Sequence, residues 1–134
     1  MTGWLGFLDE ARALLSTARS SEHRQRTVIS RAYYAAYHSS LSIAVQAGYL
    51  ASRADFERRR SGVHKHLIDW LSTHSAREFS MLGDELGTLR TLRAKADYRP
   101  DLAVVFTEAQ DAVNQATYIV TELGADLRDR YSRS

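Results

Sequence analysis

The stretch from about Glu22 to Tyr49 constrains this chain most, because it admits only a helix and that helix cannot stand alone. No Pro interrupts it, no Gly precedes Gly48, and the helix formers Ala, Leu, Gln and Arg fill much of it. On a helical wheel Val28, Ala32, Ala36, Ser39 and Ile43 share one face. Tyr33, Tyr37, Leu41 and Ala44 fall on another, so apolar surface runs nearly all round. Such a helix must be wrapped by neighbours on several sides. Its small residues permit close approach, and its tyrosine hydroxyls need partners once buried. It reads as the central helix of a bundle, and its apolar girdle suggests a two-fold interface with a second copy.

The rest of the chain supplies the wrapping. Trp4, Leu5, Leu8, Ala11, Leu14 and Leu15 recur at three- and four-residue intervals, which predicts an amphipathic helix over residues 4–18. Ser20 and Ser21 can cap the central helix. Residues 50–60 are charged and aperiodic, as expected of a loop, and Ser61 offers an N-cap for a short helix through Val63, Leu67, Ile68, Trp70 and Leu71. Leu82, Leu86, Leu89, Leu92 and Ala96 carry the period from about Arg77 to Asp97, where the GxxxG pair Gly83 and Gly87 suggests packing. Pro100 pushes Arg99 off helical angles, so residues 98–106 must connect helices. Only Leu102 to Phe106 alternates enough to suggest a strand. Thr107 to Gln110 fits a capping box for a last helix running to Leu123. Gly124 should weaken that helix, and the tail from Arg128 is expected to fray. The expectation is an all-α fold, a single antiparallel bundle of about five helices, in one domain over residues 1–134.

Several function classes drop out. The chain has no cysteine, which excludes disulfides, thiolate zinc sites and cysteine nucleophiles. His64 and His66 stand at i,i+2 and diverge on a helix, so no protein metal site is expected, and no nucleotide-binding glycine motif or cofactor is expected either. No run approaches the 18 or so apolar residues of a membrane span. The apolar opening ends at Asp9, Glu10 and Arg12, too early for a signal peptide, so a cytoplasmic location is expected. The net charge of +2 is mild, but Arg53, Arg58, Arg59, Arg60 and Lys65 make a dense basic stretch. It is either an RNA-phosphate footprint or a solvated loop.

One pair of residues points to chemistry. Seven residues turn a helix by about 700°, so Arg31 and His38 share a stripe, about 10 Å apart along the axis. A permanent guanidinium charge and a titratable imidazole can serve a phosphate and its proton transfers. Two other readings stay open at this stage: a carboxylate partner for Arg31 inside the bundle, and a hydrogen-bonded core role for His38.

Two stretches together resemble the HEPN superfamily, small all-α domains named for nucleotide binding in higher eukaryotes and prokaryotes. Ser30-Arg31-Ala32-Tyr33-Tyr34-Ala35-Ala36-Tyr37-His38 is similar to that family's arginine-led helix ending in histidine. Leu89-Arg90-Thr91-Leu92-Arg93-Ala94-Lys95-Ala96-Asp97-Tyr98 resembles its LRxxRxxADY signature, and Ser61-Gly62-Val63-His64 resembles the start of its third helix. The resemblance spans roughly Glu22 to Leu123.

It implies a domain that forms homodimers, frequently a toxin or defence ribonuclease needing no metal, with Arg31 and His38 in the catalytic positions. Tyr34, Arg58, Arg59, Arg60 and Lys65 would then contact RNA or a nucleotide. Arg93, Asp97 and Tyr98 would be structural, Arg93 and Asp97 as an i,i+4 ion pair and Tyr98 as a packed residue whose hydroxyl ties down the next turn. The alternative is a non-catalytic module that partners a small nucleotidyltransferase. Ala32 stands where the family's active ribonucleases usually carry a polar residue, and Ser39 and Ser40 follow His38 where a partner-modified subgroup has His-x-Tyr.

Overall fold

A computed structural model describes residues 3–49 and 62–132. They form α1 (Gly3–Leu15), α2 (Glu22–Gln46), α3 (Val63–Ser72), α4 (Arg77–Tyr98) and α5 (Phe106–Thr117), which continues through a π-helical turn (Tyr118–Leu123) into α6 (Gly124–Ser132). With the last three segments counted as one rod, five rods pack together. Among the described residues there is no strand, and Leu102 to Val105 is an irregular connection.

The central helix is wrapped by its own chain. Val28, Ile29, Ala32, Tyr33, Ala35, Ala36, Ile43 and Ala44 of α2 are fully buried, with α1, α4, α5 and α6 against them. The girdle is consumed inside one bundle, so it no longer argues for a two-fold interface. Leu8 of α1, Leu67 and Leu71 of α3, Leu82, Leu86 and Leu89 of α4 and Ile119 of the π turn complete the core. Cutting any of these leucines to Ala costs about 2–5 kcal/mol, through lost apolar contact and the cavity left behind. Close approach is needed where α4 meets the end of α3. A Cβ on Gly83 would lie 2.5 Å from the Ser72 nitrogen, so glycine alone fits.

Local chemistry sets the ends. Ser21 caps α2 by accepting from the Arg24 amide at 3.3 Å. The helix stops at Gln46 rather than Tyr49, because Gly48 at φ 102° turns the chain back. Tyr49 N then donates to Ala44 O at 2.8 Å and Gly48 N to Val45 O at 3.1 Å, the paired bonds of a Schellman motif. The first helix also ends early, at Leu15, where the Ser16 and Thr17 hydroxyls donate back to the Ala13 and Leu14 carbonyls at 2.7 and 3.1 Å. Gly62 occupies the N-cap of α3; Ser61 and the expected loop 50–60, with Arg53, Arg58, Arg59 and Arg60, lie outside the described residues.

Two expectations for the C-terminal third need correction. The capping box is not Thr107–Gln110: the N-cap is Val105, and Glu108 accepts from its amide at 3.0 Å while holding Lys95 at 2.8 Å. A carboxylate accepts more strongly than the Gln110 amide and also favours the positive helix start. Nor does the helix give way at Arg128, since α6 runs on to Ser132. Leu127 is buried, and Arg128 donates to Ser39 Oγ at 2.8 Å and Val120 O at 3.0 Å beneath the Trp4 ring. At the opposite end Arg26 of α2 donates to the carbonyls of Lys95, Ala96, Arg99 and Leu102, closing the Pro100 connection onto the bundle.

Candidate functional site

Wrapping leaves α2 one outer stripe, carrying Thr27, Arg31, Tyr34, His38, Leu41 and Val45 at helical spacing. Arg31 is half-exposed, and its Nε lies 3.4 Å from Glu10 Oε2 of α1. The carboxylate partner therefore sits at the surface, not inside the bundle. His38 is exposed rather than a core histidine. Its ring stacks on Phe7 (5.8 Å, 13°) and Tyr34 (6.2 Å, 23°) and meets Tyr37 edge-on at 5.3 Å. Among the described residues no hydrogen bond reaches its ring nitrogens. Burial of the ring's inner face holds its pKa below the usual 6.5. The imidazole is thus neutral at pH 7 and ready to accept a proton.

Behind the stripe lies a polar knot joining α2 to α4. Arg93 Nε donates to Asp97 Oδ2 at 2.7 Å, with the two side chains only 11% and 24% exposed. Its NH2 donates to the Tyr34 hydroxyl at 2.9 Å, and Ser30 Oγ donates to the same Asp97 oxygen at 3.4 Å. The expected i,i+4 ion pair is present, then, and orients Tyr34 beside His38. Tyr98 does not pack as expected. It is 64% exposed at the last residue of α4, with the Arg93 guanidinium over its ring at 5.1 Å. Lys65 is exposed and pairs with Asp69 at 3.4 Å.

A second imidazole, weighed from sequence as a metal ligand and not named as a site residue, completes the cluster. His64 Nδ1 is hydrogen-bonded to the Tyr33 hydroxyl at 2.7 Å, and its ring lies 4.3 Å from that of Tyr37. Burial first, then the charges of Arg93, Arg90 and His38, lowers its pKa to about 4. Burial raises Tyr33 far above its ordinary value and Tyr37 to about 12, so both phenols stay protonated. A signal was there: His64 precedes Leu67 and Leu71 by three and seven residues, on the buried stripe of α3.

Two clefts flank Tyr34 and His38 along α2. Towards the helix start a polar cleft of about 340 Å³ is lined by Thr27, Ser30, Arg31 and Asp97, among others. Towards the helix end a groove of about 680 Å³ runs between α1 and α2, walled by Trp4, Phe7, His38, Leu41 and Val45. Among the described residues no group of three or more His, Asp or Glu could hold a metal ion, and no helix is long and apolar enough to cross a membrane. No family model matches the chain, and no curated protein or solved structure matches it significantly.

Proposed function

We propose that this is a HEPN-type toxin or defence protein: a metal-independent endoribonuclease in which Arg31 and His38 of two copies form the catalytic site. The observation that carries the reading is the exposed, neutral His38 on an aromatic shelf, next to a cleft bearing Arg31. His38 takes the proton from an RNA 2′-hydroxyl, and that oxygen attacks the neighbouring phosphorus. Arg31 balances the charge gathering on the phosphorane oxygens. The bond to the 5′-oxygen breaks, that oxygen takes a proton from water, the imidazolium just formed returns its own proton to solvent, and a 2′,3′-cyclic phosphate remains. Glu10 is no obstacle, since an exposed ion pair is worth about 0–1 kcal/mol.

The test is cleavage of single-stranded and structured RNAs by purified protein in EDTA, with product ends identified. Cyclic phosphate ends, lost in His38→Ala, support the reading. RNA left intact by the wild type, alone and with its genomic neighbour, sinks it. One observation favours the second reading, a non-catalytic module docking a nucleotidyltransferase: Arg31 already has a carboxylate partner, next to Ala32. That reading expects RNA or partner binding without turnover.

A further inference from the structure

We infer that the groove between α1 and α2, beyond His38, holds one unpaired nucleobase of the RNA whose phosphate lies at His38. The inference rests on the ribonuclease reading and gives it a substrate class, single-stranded RNA with a base free of its stack.

The groove has the make-up of a ligand site. At about 680 Å³ it falls in the usual range for small-molecule pockets, with aromatic and aliphatic walls and few polar groups. Its rings continue the shelf on which His38 rests, because Phe7 is only 13° from the imidazole plane. Trp4 is steadied by the Arg128 guanidinium at 5.2 Å, which also holds Ser39 and Val120, so this wall is fixed before any ligand arrives. Ser42 and Gln46 add a hydroxyl and an amide on the same face of α2, able to meet a base edge. His38 and Gln46 are about 12 Å apart along the axis, leaving space for one nucleoside beside its phosphate.

What selects a nucleotide over another apolar occupant is the asymmetry about His38. On one side the walls are apolar and aromatic; on the other lie Arg31, Arg26, His23, Ser30 and Thr27, with one carboxylate, Asp97, already paired to Arg93. A nucleotide has that same polarity, an aromatic base at one end and an anionic phosphate at the other. Proteins that take single-stranded RNA read splayed bases by stacking them on aromatic side chains.

The groove reports its own occupancy. The chain has two tryptophans, so Trp70→Phe leaves Trp4 as the only one. A 2′-O-methyl hexanucleotide, which cannot be cleaved by its own 2′-oxygen, should quench Trp4 fluorescence saturably. A scan placing one abasic residue at each position should find one where affinity drops by roughly 5- to 150-fold, the worth of one stacked base. Val45 is 53% exposed, so Val45→Lys leaves the fold intact. It should weaken binding tenfold or so although it adds a positive charge. Affinity that is indifferent to the abasic scan, or raised by Val45→Lys, overturns the base site. So does sedimentation showing that Val45→Lys only splits a dimer, which would mean a second copy covers the groove. A base site found by the scan in a protein that never cleaves 2′-hydroxy RNA removes the ribonuclease reading and keeps the groove. Cleavage blind to the abasic scan does the reverse.

Discussion

His38 and His64 face the same tyrosine, Tyr37, from different surroundings, and the contrast separates an exposed imidazole from a committed one. Both imidazoles are held neutral, and in both the main cause is burial. His64 has its Nδ1 on the Tyr33 hydroxyl and the charges of Arg90 and Arg93 nearby. Protonating it would place a third positive charge among them. His38 is held by ring contacts alone, in an exposed residue. A lowered pKa therefore does not mark a catalytic histidine by itself. A ring without a committed partner is the one that remains able to take a proton from a ligand.

Exchanging roles is the sharpest way to break that contrast. His38→Ala should lower RNA cleavage by about 10²–10⁴-fold, the usual worth of a general base, and leave denaturant unfolding unchanged. His64→Ala should do the opposite, costing about 1–3 kcal/mol by leaving the Tyr33 hydroxyl without its partner while turnover survives. Loss of turnover in a fully stable His64→Ala protein would move His64 into the reaction.

Next in size is the knot that aims Tyr34. Arg93→Ala leaves the Tyr34 hydroxyl without its partner and Asp97 with only its 3.4 Å bond from Ser30, and should cost about 1–3 kcal/mol in urea unfolding. Asp97→Ala should cost somewhat less, since Arg93 keeps the Tyr34 hydroxyl and three tyrosine rings. If both unfold with the wild type, the helix-four signature is not a latch between α4 and α2.

Acid separates the two histidines more gently. The unfolded chain binds a proton on each imidazole near pH 6.5, whereas folded His64 resists until about pH 4. Between those values the unfolded state holds more protons, so stability falls as pH falls through that window and is complete above it. His64→Leu should flatten most of this slope in urea midpoints taken at pH 7 and pH 5. For His38 the readout is kinetic: the acid limb of the cleavage profile should lie below pH 6.5. An acid limb at or above that value would mean that the shelf does not desolvate the ring.

The smallest effect belongs to Glu10→Gln, which removes an exposed partner of Arg31. Stability should change by less than about 1 kcal/mol, while RNA affinity rises as the guanidinium is freed. Weaker RNA binding would show instead that Glu10 positions Arg31 for phosphate.

How much of this was readable beforehand differs by distance along the chain. The helices followed from apolar period, and the Arg93–Asp97 pair from i,i+4 spacing, because both depend on residues a few positions apart. Ends were missed by a turn where one hydroxyl or one glycine decided the outcome, as at Ser16 and Gly48. The girdle on α2 was legible as buried, but a wheel does not say whose helices bury it. Tyr33 and His64 meet across 31 residues, and Phe7 reaches His38 from a helix whose pattern read only as amphipathic. The shelf beneath His38, the part that gives the imidazole its character, is therefore tertiary and had no local signature.

The wide turn from Tyr118 to Leu123 loosens the last rod without turning its buried stripe away. Leu127 follows Val120 by seven residues and Ala116 by eleven, which at about 100° per residue keeps all three on one face. Past the turn Leu127 is still in the core and Arg128 still lies under Trp4. One wall of the groove beside His38 thus leans on a helix that does not line it.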